Sequence, residues 1–129
     1  MMLTITPLYA GLLVLVYIAL SALVVRQRVL VEMATGDADE TNLNRSIRVH
    51  GNFVEYVPLG LILMLCAELQ SAPAVAVHAM GLTLLIARVA HAVGMSRTPQ
   101  VRLLRGGGFL LTTLMLILSA LAVIAHAIF

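Results

Sequence analysis

Four apolar runs, over residues 5–25, 49–69, 74–93 and 109–129, constrain this chain more than anything else in it. A bilayer hydrocarbon core of ~30 Å takes about 20 helical residues, and each run is long enough to cross. The chain has 129 residues, of which 61% are hydrophobic and 11% charged, against roughly 25% charged in an average soluble domain. This is the composition of a small integral membrane protein. The expected fold is all-α, a four-helix bundle in the membrane, with residues 1–129 forming one domain with short connections. The first run lacks a basic leader and is too long for a secretory signal core, so it is expected to stay as a transmembrane helix. The one cysteine, Cys66, has no second thiol in the chain to pair with and reads as a packing residue.

All eight basic residues are arginines, and their placement sets an expected topology. Arg26, Arg28, Arg45 and Arg48 flank the first connection, and Arg97, Arg102 and Arg105 flank the third. The second connection, around Gln70 to Pro73, has none, and neither do the termini. The positive-inside rule then puts connections one and three in the cytoplasm and both termini on the opposite side. Dispersed, topology-setting arginines account for the charge without a nucleic-acid partner. Local signals add helix boundaries. Thr6-Pro7 reads as the start of the first helix and Thr98-Pro99 as the start of the fourth, with Thr98 as cap. In the polar stretch from Ala34 to Asn42, glycine reads as a stop and an Asp or Thr as the cap of the second helix. Gly106-Gly107-Gly108 is either a close helix contact or a flexible joint.

Within the second run, polar residues stand where lipid should be. Only 11 residues separate Tyr56 from Glu68, which is ~17 Å of helix. If Glu68 marks one interface, the span reaches back to about Val49, and Asn52 and Glu55 lie inside it. Ionisable groups at such depth are costly and are functional candidates by default. Arg45, Arg48, Asn52 and Glu55 follow one another at helical spacing, which puts them on one face within about 80°. In the third run Arg88 falls at a depth similar to Glu55, and His91 lies one turn further on. Arg88 is therefore expected to pair with Glu55 or to share a polar cavity with it. Arginine stays charged and demands an anionic or wet neighbour.

Two readings of this constellation stay open. In one, Glu55 and Arg88 form a structural ion pair that fixes helix register. In the other, Arg48, Asn52, Glu55, Arg88, His91 and Arg102 converge on one leaflet, and the excess of positive charge receives an anionic ligand from the cytoplasm.

The pattern Arg45-x-x-Arg48-x-x-x-Asn52-x-x-Glu55-Tyr56-x-Pro58 resembles the signature of the MAPEG family, the membrane-associated proteins in eicosanoid and glutathione metabolism. The likeness extends to Arg88-x-x-His91-x-x-Gly94 and to Arg97 and Arg102, and it is closest to the compact bacterial members. The resemblance implies a homotrimer in a bacterial inner membrane, with both termini periplasmic and glutathione bound between subunits near the cytoplasmic face. It implies that Arg48 binds a glutathione carboxylate, that Asn52 adds neutral hydrogen bonds, that Glu55 meets the ammonium and that Tyr56 donates its hydroxyl. Arg26 corresponds to a family arginine at the end of the first helix, and His50 and His91 are further ligand-contacting candidates. Arg102 aligns with the arginine that activates the thiol. A free thiol has a pKa of ~8.5, and each unit of lowering takes about 1.4 kcal/mol of preferential thiolate stabilisation.

The chain departs from the eicosanoid enzymes at His91 and Met95, where they carry tyrosines. No His-Glu-x-x-His motif or cysteine cluster points to a metal. The activity implied is a glutathione transferase or peroxidase acting on hydrophobic electrophiles or lipid hydroperoxides delivered by the bilayer. The competing readings are a non-catalytic lipid- or glutathione-binding protein of the same fold and a small transporter or channel.

Overall fold

A computed structural model describes residues 3–32, 35 and 41–129. The four apolar runs form α1 (Ile5–Leu30), α2 (Thr41–Leu69), α3 (Ala74–Ser96) and α4 (Arg102–Ile128). Each is long and apolar enough to cross a membrane. Of the polar stretch expected to stop the first helix and cap the second, Ala34 and Gly36 to Glu40 lie outside the described residues. Near the arginines the helices outrun the segments expected to cross hydrocarbon: α1 continues to Leu30, α2 begins already at Thr41 and α4 at Arg102. Backbone hydrogen bonding within a helix does not depend on lipid, so a helix can carry its charged turns beyond the apolar zone.

α2 and α3 occupy the middle of the bundle. α1 packs on both, α4 packs on both, and α1 and α4 do not touch. Leu13, Phe53, Val57, Met64, Val77, Leu84 and Met115 form the buried centre. The outward faces of α1 and α4 carry exposed Leu15, Ile18, Val25, Leu110, Leu118 and Leu121. In water so large an apolar surface would drive association, whereas here it suits lipid tails.

The helix ends only partly follow the sequence signals. α2 closes with Ser71 at φ 62°. The Ala72 N–H reaches the Ala67 carbonyl at 3.0 Å and the Ser71 N–H the Glu68 carbonyl at 3.1 Å. This is a Schellman closure with serine in the left-handed position, and Pro73 then opens α3. α1 starts at Ile5, before the expected Thr6, with Pro7 inside its first turn. Its cap comes from another helix. The Glu68 carboxylate accepts the N–H groups of Thr4 at 2.8 Å, Ile5 at 2.9 Å and Thr6 at 2.7 Å. Glu68 is thus a buried structural acceptor, at the end of the bundle where α1 begins and α2 closes. Thr98 does not cap α4, which begins at Arg102 behind Val101. The Thr98 hydroxyl instead accepts a hydrogen bond from Arg45.

Candidate functional site

At the arginine-bearing end, α2, α3 and α4 enclose a groove of about 620 Å³, within the roughly 300–1,000 Å³ of small-molecule sites. α2 forms one wall with Ile47, Arg48, Gly51, Asn52 and Glu55, and α4 forms the other with Arg105, Gly106 and Phe109. His91 and Met95 of α3 lie between them. The helical spacing of Arg48, Asn52 and Glu55 does bring them to one surface. Arg45 leaves that row: its guanidinium donates to Asn42 Oδ1 at 3.4 Å and to Thr98, beside a smaller cleft that includes Gln27 and Ser96.

Arg88 and Glu55 do not pair. Arg88 is only 1% exposed and lies behind the groove wall. Its Nε donates to Thr112 Oγ1 at 2.8 Å, and its two terminal nitrogens donate to Asn52 Oδ1 at 2.9 Å and to the Gly108 carbonyl at 3.2 Å. The Tyr56 ring lies 5.0 Å from the guanidinium carbon, close enough for a cation–π contact. Three neutral oxygens and an aromatic face thus replace the expected carboxylate. Depth along the helices matched, but azimuth did not, because α3 turns Arg88 toward α4. Glu55 is left exposed on the groove wall.

The cause of that turn is a close helix contact at Gly108. A Cβ on Gly108 would stand 2.4 Å from the Ala87 carbonyl oxygen and 2.7 Å from the His91 backbone nitrogen. Of the two readings of the triple glycine, close contact therefore holds at Gly108, and all three glycines lie inside continuous α4. The same approach brings the Arg105 carbonyl oxygen to 2.7 Å from His91 Nδ1.

The remaining candidates are dispersed. Tyr56 packs beneath the groove, edge-on to Phe109 with ring centroids 6.0 Å apart. His50 points away, into the α1–α2 seam, where Nε2 meets Ser21 Oγ at 2.9 Å and the ring tilts against Tyr17 at 5.1 Å. Two positions along α2 from Arg48 is about 200° around the helix, so the two residues could not face the same way. Arg26 is exposed near the end of α1, a helix that contributes nothing to the groove. Arg102 is exposed in the first turn of α4 and is not part of the lining. It does share the helical face of Arg105, Gly106 and Phe109, at three, four and seven positions. That same spacing was the signal that could have found Arg105 and Phe109 as groove residues. Among the described residues, no group of three or more His, Cys, Asp or Glu side chains could hold a metal ion.

The profile of the MAPEG family matches residues 6–125. The chain belongs to the MAPEG family. Its relatives include two proteins named inner membrane protein YecN, from Escherichia coli strain K12 and from Escherichia coli O6:H1 strain CFT073. Each is 40% identical over 90 residues, which is 70% of this chain and 69% of the relative. No solved structure matches the chain. In this MAPEG protein the α2 signature and the Arg88-x-x-His91 pair occupy adjacent surfaces. Arg48, Asn52, Glu55 and His91 line the groove, while Arg88 and Tyr56 support it from behind.

Proposed function

We propose that this MAPEG protein binds glutathione in the α2–α3–α4 groove and activates its thiol for attack on hydrophobic electrophiles or lipid hydroperoxides. The observation that carries the reading is the convergence of Arg48, Arg105, Asn52, His91 and Glu55 on one surface. Glutathione has two carboxylates, one ammonium, amide groups and a thiol. Two guanidinium groups suit the carboxylates through charge-assisted hydrogen bonds, Glu55 suits the ammonium, and Asn52 suits an amide. Arg102, on the groove-facing side of α4, stabilises the thiolate. Phe109 offers an apolar wall to a partner arriving from the bilayer.

The reading includes a homotrimer. Arg26 sits on α1, which contributes no residue to the groove of its own chain, so in this reading it serves the groove of a neighbouring copy, with glutathione enclosed between subunits. The distribution of arginines supports a groove at the cytoplasmic face and termini in the periplasm, and the name of the Escherichia coli relatives supports the inner membrane as its location.

Purified protein in lipid nanodiscs, titrated with glutathione, should show thiolate absorbance and conjugate a generic aryl halide. Arg102→Ala should lower turnover roughly 100-fold, the cost typical of a lost transition-state charge partner, with binding retained. Glu55→Ala should weaken glutathione binding roughly tenfold, equivalent to about 1.4 kcal/mol. Binding without thiolate or turnover in the native protein would reduce it to a binding module, and absence of binding would remove the proposal.

A further inference from the structure

We infer that His91 is the proton acceptor for the thiol, held in the one neutral tautomer that can serve. The inference deepens the thiol-activating reading above and rests on it. A backbone carbonyl can only accept a hydrogen bond. The contact of 2.7 Å between His91 Nδ1 and the Arg105 carbonyl oxygen therefore requires the proton on Nδ1. In the neutral ring Nε2 is then a bare acceptor. The His91 side chain is only 6% exposed and lines the groove. Nε2 has no hydrogen-bond partner among the described residues, yet it is not among the sealed, unsatisfied polar atoms, of which Thr6 Oγ1 is the one found. It therefore keeps some exposure, and the groove is the space that His91 lines.

The tautomer is fixed by backbone packing rather than by a titratable partner. Gly108 lets α4 come so close to α3 that a Cβ there would meet the His91 backbone nitrogen and Cβ at 2.7 and 2.9 Å. Arg88 ties the same turn from the other side through the Gly108 carbonyl. The charged and titratable groups around the imidazole are Arg48 and Glu55 from α2, with Tyr56 beneath, Arg105 from α4 and Arg88 from α3 itself, while α1 supplies none to the groove.

The step balances without a further reagent. The S–H bond breaks, its proton passes to Nε2 and the imidazole becomes imidazolium. The sulfur keeps the electron pair, attacks the ring carbon of the aryl halide and forms the C–S bond. Halide leaves with the electrons of the broken carbon–halogen bond, and the imidazolium returns its proton to water. Arg102 stabilises the thiolate, and His91 removes the proton.

The test uses His91→Asn in nanodiscs, because the asparagine amide can keep a donor near the Arg105 carbonyl while deleting Nε2. The variant should bind glutathione within a few-fold of native affinity. It should conjugate the aryl halide roughly 100-fold more slowly near neutral pH, the usual scale of general-base help. Its rate should climb as pH approaches the thiol's own pKa, and added imidazole should restore part of it. A native rate and pH profile in the variant overturns the inference, as does a loss confined to glutathione affinity. If His91→Asn does not fold, ¹⁵N-histidine spectra of the native protein decide, with signals assigned by single replacement of His50, His78 and His126. The Nδ1–H tautomer, turning to imidazolium as thiolate forms, is expected, and an Nε2–H tautomer overturns the role. If native protein neither binds glutathione nor forms thiolate, the functional reading itself fails, which is a different result from an unaltered His91 variant.

Discussion

α2 carries two carboxylates, and they have opposite fates. Glu68, near the C-terminal end, is buried and takes three backbone N–H groups from the start of α1. Glu55, midway along, is exposed in the groove and accepts no hydrogen bond from a described residue. The helix N-terminus needs acceptors for its orphan amides and favours a negative charge, so Glu68 is spent on structure. Glu55 shares its wall with Arg48 and faces the wall that carries Arg105 across a space, so its capacity is left for something that is not part of the chain. Residue type and helix are the same, and only the state of hydrogen-bond satisfaction separates a structural carboxylate from a candidate binding one.

Substituting each carboxylate gives the largest expected contrast. Glu68→Ala leaves three amides at the α1 terminus without acceptors and should cost roughly 2–4 kcal/mol, seen as a lower midpoint of thermal unfolding in detergent. Glu55→Ala should leave that midpoint unchanged and act on glutathione binding alone. If the two variants unfold alike, satisfaction is not what distinguishes the two sites.

The glycine run sharpens the same contrast within a single helix. Gly108→Ala puts a methyl 2.4 Å from a backbone oxygen of α3, which cannot yield as a flexible side chain would. Overpacking of this kind costs roughly 1–3 kcal/mol, and separating α3 from α4 should also break the His91–Arg105 hydrogen bond. Gly107→Ala meets nothing within 4 Å and should stabilise the helix by up to about 1 kcal/mol. Thermal unfolding of the pair should therefore move in opposite directions. Equal shifts would mean that the closeness of α3 and α4 does not hold the site together.

Much of the fold was legible because each crossing segment declares itself through length and hydropathy, and the α2 row was legible because helical spacing fixes relative azimuth within one helix. Azimuth between helices was not. Arg88 matched Glu55 in depth, yet its direction depends on how closely α4 approaches α3, and nothing in three consecutive glycines says which of them makes the contact. The cap on α1 was hidden for a related reason. Its acceptor is separated from it by almost half the chain, and local capping rules pointed to Thr6-Pro7. Thr98 read as a cap by the same local logic, and Arg45 took its hydroxyl instead.

The smallest effect expected concerns His50, which tests whether groove and seam are separate. His50 and His91 both stand among polar signature residues, but His50 is occupied by Ser21 and Tyr17 at the α1–α2 seam, while His91 lines the groove. His50→Gln exchanges one seam hydrogen bond for another and should cost no more than about 1 kcal/mol of stability. Because no α1 residue lines the groove, glutathione affinity should stay within about twofold of native, and the pH profile of turnover should not move. A tenfold loss of affinity in this variant would join the two surfaces. The ligand would then extend to the α1 side of α2, and the division of α2 into a structural face and a binding face would have to be redrawn around His50.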